Sequence, residues 1–286
     1  MGQKINRAGI VCCSNGQERK KKEQVEMLLQ TLSGLGITPV YSDFIYEKDE
    51  NTHRSGTAAE RAANLMNFYC DDTIDVIFDI SGGDIAIEIL PYLNFSVIAN
   101  SNKQFWGYSD LTTVINSIFA KTGKTSNLYQ IRNLIRSGQE NQLDLFRDYL
   151  EDGENLFHFS YDFLRGDQMK GIMLGGNIRC LLKLAGTPFW PDMTEKILFL
   201  EGLSGDTPKL ISFFNQLRLL GVWEQVNGVL LGTFTEMEEK GHAPTVSELL
   251  IDMTNQKLPV AVTKEIGHAA NSKALLIGKS YTLKKE

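Results

Sequence analysis

The sequence lacks any apolar run near the ~20 residues that a membrane-spanning helix requires. Its first residues, Met1-Gly2-Gln3-Lys4-Ile5-Asn6-Arg7, hold neither a long apolar core nor a cleavage site. That reads against a secretory signal and gives a cytoplasmic protein as the expectation. Positive charge is not in excess: 29 Lys and Arg stand against 35 Asp and Glu, a net charge of -6. An electrostatic nucleic-acid binder is therefore not expected, nor is a membrane partner. The basic run Arg19-Lys20-Lys21-Lys22 is bracketed by Glu18, Glu23 and Glu26 and reads as a solvated helix face. Cysteine is sparse, with Cys12, Cys13, Cys70 and Cys180 in no CxxC spacing. Adjacent Cys12 and Cys13 in a strand would point to opposite faces, and buried thiols in a reducing compartment are expected. Histidine is sparse too. His53, His158, His242 and His268 form no HxH or HExxH pattern, so no metal site is expected.

Two phosphate motifs are also missing. Gly123-Lys124-Thr125 resembles the end of a phosphate loop, but the first glycine would fall at Ile118 and a helix precedes it. Gly82-Gly83 lacks the last glycine of a dinucleotide fingerprint. No organic cofactor is implied. What remains is an ordinary globular composition, 42% hydrophobic and 22% charged over 286 residues, enough for one large domain or two smaller ones.

Strands and helices alternate. Strands are expected at 8–13, 37–41 and 74–80, then in the segment before Ser109. Helices are expected at about 18–32, after Thr57 with Glu60 completing a capping box, from Asp84 to Leu93, and at 111–121. The pattern weakens from Thr125 to about Gly166, where one amphipathic helix is read at Gln139–Leu150. A second unit follows, with strands at 169–174, 196–201, 228–232, 258–262, 274–277 and 281–283, and helices at 177–184, 208–220 and 246–254. The expected fold is α/β: a doubly wound parallel sheet over residues 1–155, then a smaller α/β domain over 156–286. Ligands of such sheets sit beyond the carboxyl ends of the strands. Ser14–Gly16, Gly82–Gly83 and Ser109 are all placed there.

The chemistry centres on Phe105-Trp106-Gly107-Tyr108-Ser109-Asp110-Leu111-Thr112. A strand, a tight turn and a helix would lift Ser109 out of the sheet at a helix N-terminus, whose N–H groups can hold an oxyanion. The G-x-S-x-G spelling of a nucleophile elbow is absent, and a serine before an apolar run is ordinarily only a helix cap. Ser109 would need a base, and the base an orienting group. His268 lies in a loop between two expected strands. Glu201 ends an apolar strand, where an unpaired carboxylate is costly. The two also read as a surface-loop histidine and a helix-capping acid, and spacing alone does not bring the three together. Arg132, Arg179 and Lys183 are possible groups to bind a carboxylate, and the more ordinary reading of each is a solvated surface charge.

Several motifs in order resemble the L,D-carboxypeptidase family of serine peptidases, which includes the microcin-immunity peptidases. They are the Ser109 segment; Gly82-Gly83 with Ile89-Leu90-Pro91-Tyr92-Leu93; Gly175-Gly176-Asn177 with Leu184-Ala185-Gly186-Thr187-Pro188; Phe199-Leu200-Glu201; and Gly267-His268 with Asn271 and Gly278. The resemblance implies a triad of Ser109, Glu201 and His268, with the Gly83 and Asp110 backbone N–H groups as oxyanion donors. It implies a small peptide or muropeptide substrate, amide hydrolysis that removes a terminal D-amino acid, and a homodimer. An immunity-type hydrolase of a peptidyl-nucleotide toxin and a non-catalytic peptide-binding relative are the alternatives. An amidotransferase-like protein would need a cysteine at the elbow. The chain departs from the family at Ser81-Gly82-Gly83-Asp84-Ile85, where Arg-Gly-Gly-Tyr-Gly is frequent; Asp84 is closer to the immunity branch. Ser126-Asn127-Leu128-Tyr129-Gln130 replaces a His-Gly-Pro motif, and the chain is short between Gly186 and Lys196.

Overall fold

The computed structural model describes residues 5–138 and 141–285. The first half runs β1 (Arg7–Val11), α1 (Lys22–Gly34), β2 (Thr38–Val40), α2 (Ala58–Cys70), β3 (Val76–Asp79), α3 (Phe95–Asn100), β4 (Gln104–Gly107), α4 (Thr112–Thr122) and β5 (Ser126–Leu128). It continues through α5 (Gln142–Leu150) and β6 (Asp162–Arg165). The second half holds β7 (Gln168–Asn177), α6 (Ile178–Leu182), β8 (Lys196–Gly202), α7 (Thr207–Leu219), α8 (Val222–Gln225) and β9 (Gly228–Phe234). It ends with α9 (Thr235–Glu239), α10 (Val246–Met253), β10 (Val260–Val262), β11 (Leu275–Ile277) and β12 (Ser280–Lys284).

These strands make two six-stranded sheets, β11-β5-β4-β3-β1-β2 and β12-β7-β8-β9-β10-β6. The neighbours β2, β1, β3, β4 and β5 are parallel, as expected of alternating strands and helices. One strand departs from the expected layout. β11 lies in the second half of the chain, yet it pairs antiparallel with β5 at the edge of the first sheet. It closes an edge that the three-residue β5 would otherwise leave open. The loop from β10 to β11, which carries His268, therefore crosses from one sheet to the other.

Local chemistry accounts for most of the elements. Thr57 and Glu60 form the reciprocal capping box of α2. Cys12 and Cys13 enter different apolar clusters on opposite faces of the first sheet, while Cys70 is exposed, contrary to the expectation of buried thiols. The helix expected up to Leu93 is a 3-10 helix over Ala86–Tyr92, with Pro91 in its last turn. The helix read at Gln139–Leu150 is observed from Gln142; Gln139 and Glu140 lie outside the described residues. Among the described residues, no helix is long and apolar enough to cross a membrane.

The two sheets share one apolar cluster, in which Ile77, Phe105 and Leu128 join Met173, Leu198 and Leu230. Within it, α4 is bolted to the start of the second unit by polar groups. The buried Asn116 amide donates to Gly175 O (2.9 Å) and accepts from Gly175 N (2.9 Å). Asn177 N donates to Thr112 Oγ1 (3.0 Å). A second bolt is ionic. Lys183, just past α6, donates to the carboxylate of Asp110, which is fully buried, and to Asp84 O (2.8 Å). Asp110 also accepts from Ser14 Oγ (2.6 Å) and Ala86 N (2.8 Å). Arg179 of α6 pairs with the Asp84 carboxylate. Lys183 and Arg179 are thus partnered across the two units and are not the solvated charges read from sequence, because α6 packs against the elbow.

Two outcomes follow for stability. Asn116→Ala strips partners from a buried N–H and a buried C=O and is expected to cost about 2–4 kcal/mol in denaturant unfolding. Lys183→Met leaves the Asp110 carboxylate buried without its cation and is expected to cost about 3–5 kcal/mol by the same measurement. A midpoint shift equivalent to under ~1 kcal/mol for either would show that the docking does not depend on these contacts.

Candidate active site

Ser109 follows β4 by two residues and opens a 3-10 turn, Ser109–Leu111, that runs straight into α4. Its φ is 57°, a left-handed conformation that non-glycine residues rarely hold. Gly107 permits the tight turn: a Cβ there would lie 2.7 Å from Leu111 Cβ. The expected strand–turn–helix is therefore present without the usual glycine spelling. Ser109 is half-buried, while Asp110 and Leu111 are buried behind it.

Gly83 lies in the loop that follows the neighbouring β3, with φ 119°. A Cβ at this position would lie 2.2 Å from the Asn15 side chain, so only glycine fits. Asn15 holds the loop by donating its N–H to Gly82 O (3.1 Å) and accepting from Asp84 N (3.1 Å). The Asp84 carboxyl sits below its ordinary pKa; burial opposes this, and the Arg179 guanidinium outweighs it.

Glu201 sits near the end of β8, opposite Asn177 of β7, and is fully buried. Its Oε2 meets His268 Nδ1 at 2.6 Å. The histidine loop is pinned from several sides. Thr233 N donates to Ile266 O (3.0 Å), Gly267 N to Ser272 Oγ (3.0 Å), and Arg136 to His268 O (3.0 Å). The Tyr108 ring packs edge-on to the imidazole, with centroids 5.0 Å apart. Burial, and then the Glu201 charge, push the Tyr108 hydroxyl well above its ordinary pKa, so it stays neutral. The Tyr108 hydroxyl and the Glu201 carboxylate face each other behind the imidazole.

Sequence reasoning names Ser109, Glu201, His268, Gly83 and Asp110. Glu201 and His268 are in direct contact. Ser109, His268 and Gly83 line one cavity of about 880 Å³ between the strand ends and the histidine loop. No hydrogen bond joins Ser109 to His268, whose Nε2 has no partner among the described residues. Among those residues there is no group of three or more His, Cys, Asp or Glu able to hold a metal ion.

Arg132 departs from the sequence reading. It is not a solvated charge but lies largely buried in the 3-10 turn Ile131–Ile135, lining the same cavity. Its neighbours Ile131, Asn133 and Leu134 are buried, and that largely apolar setting is the sequence signal that marks it. Burial lowers its pKa. Tyr108, Asn116 and Arg136 also belong to the site's frame, and sequence reasoning does not single them out.

The chain resembles several known proteins along most of its length. The "Probable murein peptide carboxypeptidase" of Bacillus subtilis (strain 168) is 26% identical over 287 residues, covering 94% of this chain and 86% of that protein. Among solved structures, the microcin C7 self-immunity protein in its wild-type apo state superposes with a TM-score of 0.86 at 21% identity, covering 99% of this chain and 94% of that one. The muramoyltetrapeptide carboxypeptidase from Oxalobacter formigenes gives 0.80 at 20% identity, covering 98% and 95%. The LD-carboxypeptidase N-terminal domain matches residues 8–129 and the C-terminal domain residues 170–283, so the chain belongs to the LD-carboxypeptidase family.

Proposed function

We propose that the chain is a serine peptidase of the L,D-carboxypeptidase type, hydrolysing the amide bond before a terminal D-amino acid in a muropeptide tetrapeptide. One observation carries the reading. His268 is tied through Nδ1 to the buried Glu201, while its Nε2 is left without a partner beside the cavity that holds the strained Ser109.

In this reading Glu201 fixes the tautomer with the proton on Nδ1 and the lone pair on Nε2. His268 takes the hydroxyl proton as Ser109 Oγ attacks the amide carbonyl. The N–H groups of Gly83 and Asp110 receive the developing oxyanion; one such donor contributes ~3 kcal/mol to the transition state. The imidazolium formed beside Glu201 then gives its proton to the departing amine. Water enters by the reverse sequence and frees Ser109. Apo sites often hold the nucleophile and base apart until substrate binds, which fits a Ser109–His268 pair that is not yet bonded.

The test is product analysis by mass spectrometry on a muropeptide tetrapeptide and on a peptidyl-adenylate. Wild type is expected to release the terminal D-amino acid. Ser109→Ala and His268→Ala are each expected to lose about 10⁶-fold in kcat, and Glu201→Gln about 10⁴-fold. Equal turnover by Ser109→Ala and wild type would remove the nucleophile from the proposal. Cleavage of the peptidyl-adenylate alone would move the substrate to the immunity class, and no turnover of either would favour a peptide-binding protein.

A further inference from the structure

Besides His268, the basic side chains that line the active-site cavity are Lys21, His53, Arg132 and Arg136, and three of these four have their needs met. Lys21 pairs with Glu18, and His53 pairs with Glu47. Arg136 is exposed to solvent and donates to Asn133 Oδ1 (3.2 Å) and His268 O (3.0 Å). Arg132 differs. It is largely buried, forms no ion pair among the described residues, and its Nε is shut away from solvent without an acceptor. Its guanidinium donates to the neutral amide of Gln17, Nη1 to Oε1 at 3.1 Å. Gln17 is itself anchored by donating to Ile80 O (2.9 Å). The buried acid whose charge acts on Arg132, Asp79, is already committed to Cys13 N (2.8 Å), Ser81 N (2.7 Å) and Ser81 Oγ (2.5 Å).

A buried charge without a counter-ion is costly, and an anion brought by a ligand would offset that cost. The topology says which part of a ligand would meet it. β4 and β5 are adjacent and parallel, with Gly107 opposite Leu128 and Tyr129 N donating to Gly107 O (3.0 Å). Ser109 stands two residues past Gly107, and Arg132 four residues past Leu128. The nucleophile and the unpaired cation thus leave the same end of neighbouring strands and face one cavity.

We infer that Arg132 is a specificity-determining residue that receives the free α-carboxylate of the residue to be released. The inference rests on the peptidase reading above. A guanidinium offers two parallel donors to a carboxylate, a match that an amide or an ester cannot make. Arg132 would then confine the enzyme to cleavage at a chain terminus, because an internal peptide bond presents no carboxylate at that position.

Binding to a Ser109→Ala background reads this without turnover. The probes are a tetrapeptide ending in D-alanine, its C-terminal carboxamide, and adenosine monophosphate, each followed by calorimetry. Ser109→Ala is expected to bind the acid about 10- to 100-fold more tightly than the amide. In Ser109→Ala/Arg132→Met that preference is expected to fall to near unity, while Arg132→Lys keeps part of it. A purely structural role for Arg132 would weaken both peptides equally and leave their ratio unchanged, which would overturn the inference. So would Arg132-dependent binding of adenosine monophosphate with no acid-over-amide preference, since the anion would then be a phosphoryl group. Thermal unfolding of Arg132→Met and Arg132→Lys shows whether the fold is kept, and Arg132→Lys carries the test if the Met variant is unfolded. Failure of the triad would appear separately, as undiminished hydrolysis by Ser109→Ala.

Discussion

The site depends on one polar seam between the two sheets, where Thr112 and Asn116 of α4 hold the backbone of Gly175 and Asn177 at the end of β7. Thr112 lies three residues past Ser109. Asn177 sits opposite Glu201 in the ladder of β7 and β8. A short rigid path therefore runs from the strained serine, through Thr112 and Asn177, to the carboxylate and on to His268. Each link is a short stretch of chain, a hydrogen bond or a strand register, so an error in docking would pass directly into the geometry of the site. Hydrogen bonds suit this role better than apolar contact, which is non-directional and would tolerate sliding.

The return of β11 to the first sheet adds a second constraint on the same geometry. The His268 loop begins where β10 pairs with β9 and ends where β11 pairs with β5, so both ends are fixed in different sheets. Thr233 and Arg136 hold the loop between those ends. Such a loop has little room to drift, and it keeps the imidazole on the crevice although no regular element carries it. Lys183 acts similarly from the second unit, holding Asp110, whose own backbone is the turn that follows Ser109.

Much of this is legible in the sequence, for identifiable reasons. The alternation of buried strands and capped helices points to a parallel sheet, and the glycine and serine clusters at 14–16, 82–83 and 107–109 mark its carboxyl edge. Glu201 can be singled out because a carboxylate ending an apolar strand needs a partner. The sheet that β11 joins is not legible, since Leu275-Leu276-Ile277 suits any buried edge. Asn116 on α4 is a polar side chain of a helix, yet it is buried, because it faces the second unit rather than water. The burial of Arg132 and the pairing of Arg179 and Lys183 are not legible in the sequence for the same reason. A charge looks solvated in a sequence when the surface that will cover it comes from a distant part of the chain.

Two unmet groups face the same cavity. His268 Nε2 and Arg132 Nε are both buried without a hydrogen-bond partner among the described residues, and both side chains line it. Ser109 beside them holds a disfavoured backbone. Buried acids away from the histidine are well satisfied: Asp79 accepts three hydrogen bonds, and Asp110 accepts two besides its lysine. A chain selected for stability alone would not leave an imidazole and a guanidinium with unmet atoms on one crevice. These groups are complementary to what an acyl-transfer step would bring. Nε2 can accept a hydroxyl proton, and the Glu201 carboxylate offsets the imidazolium charge that results. Arg132 can accept an anion that the protein itself does not supply. Each of these interactions would be strongest in a crevice closed to water, so groups that are costly in the empty site are the ones able to favour an occupied one.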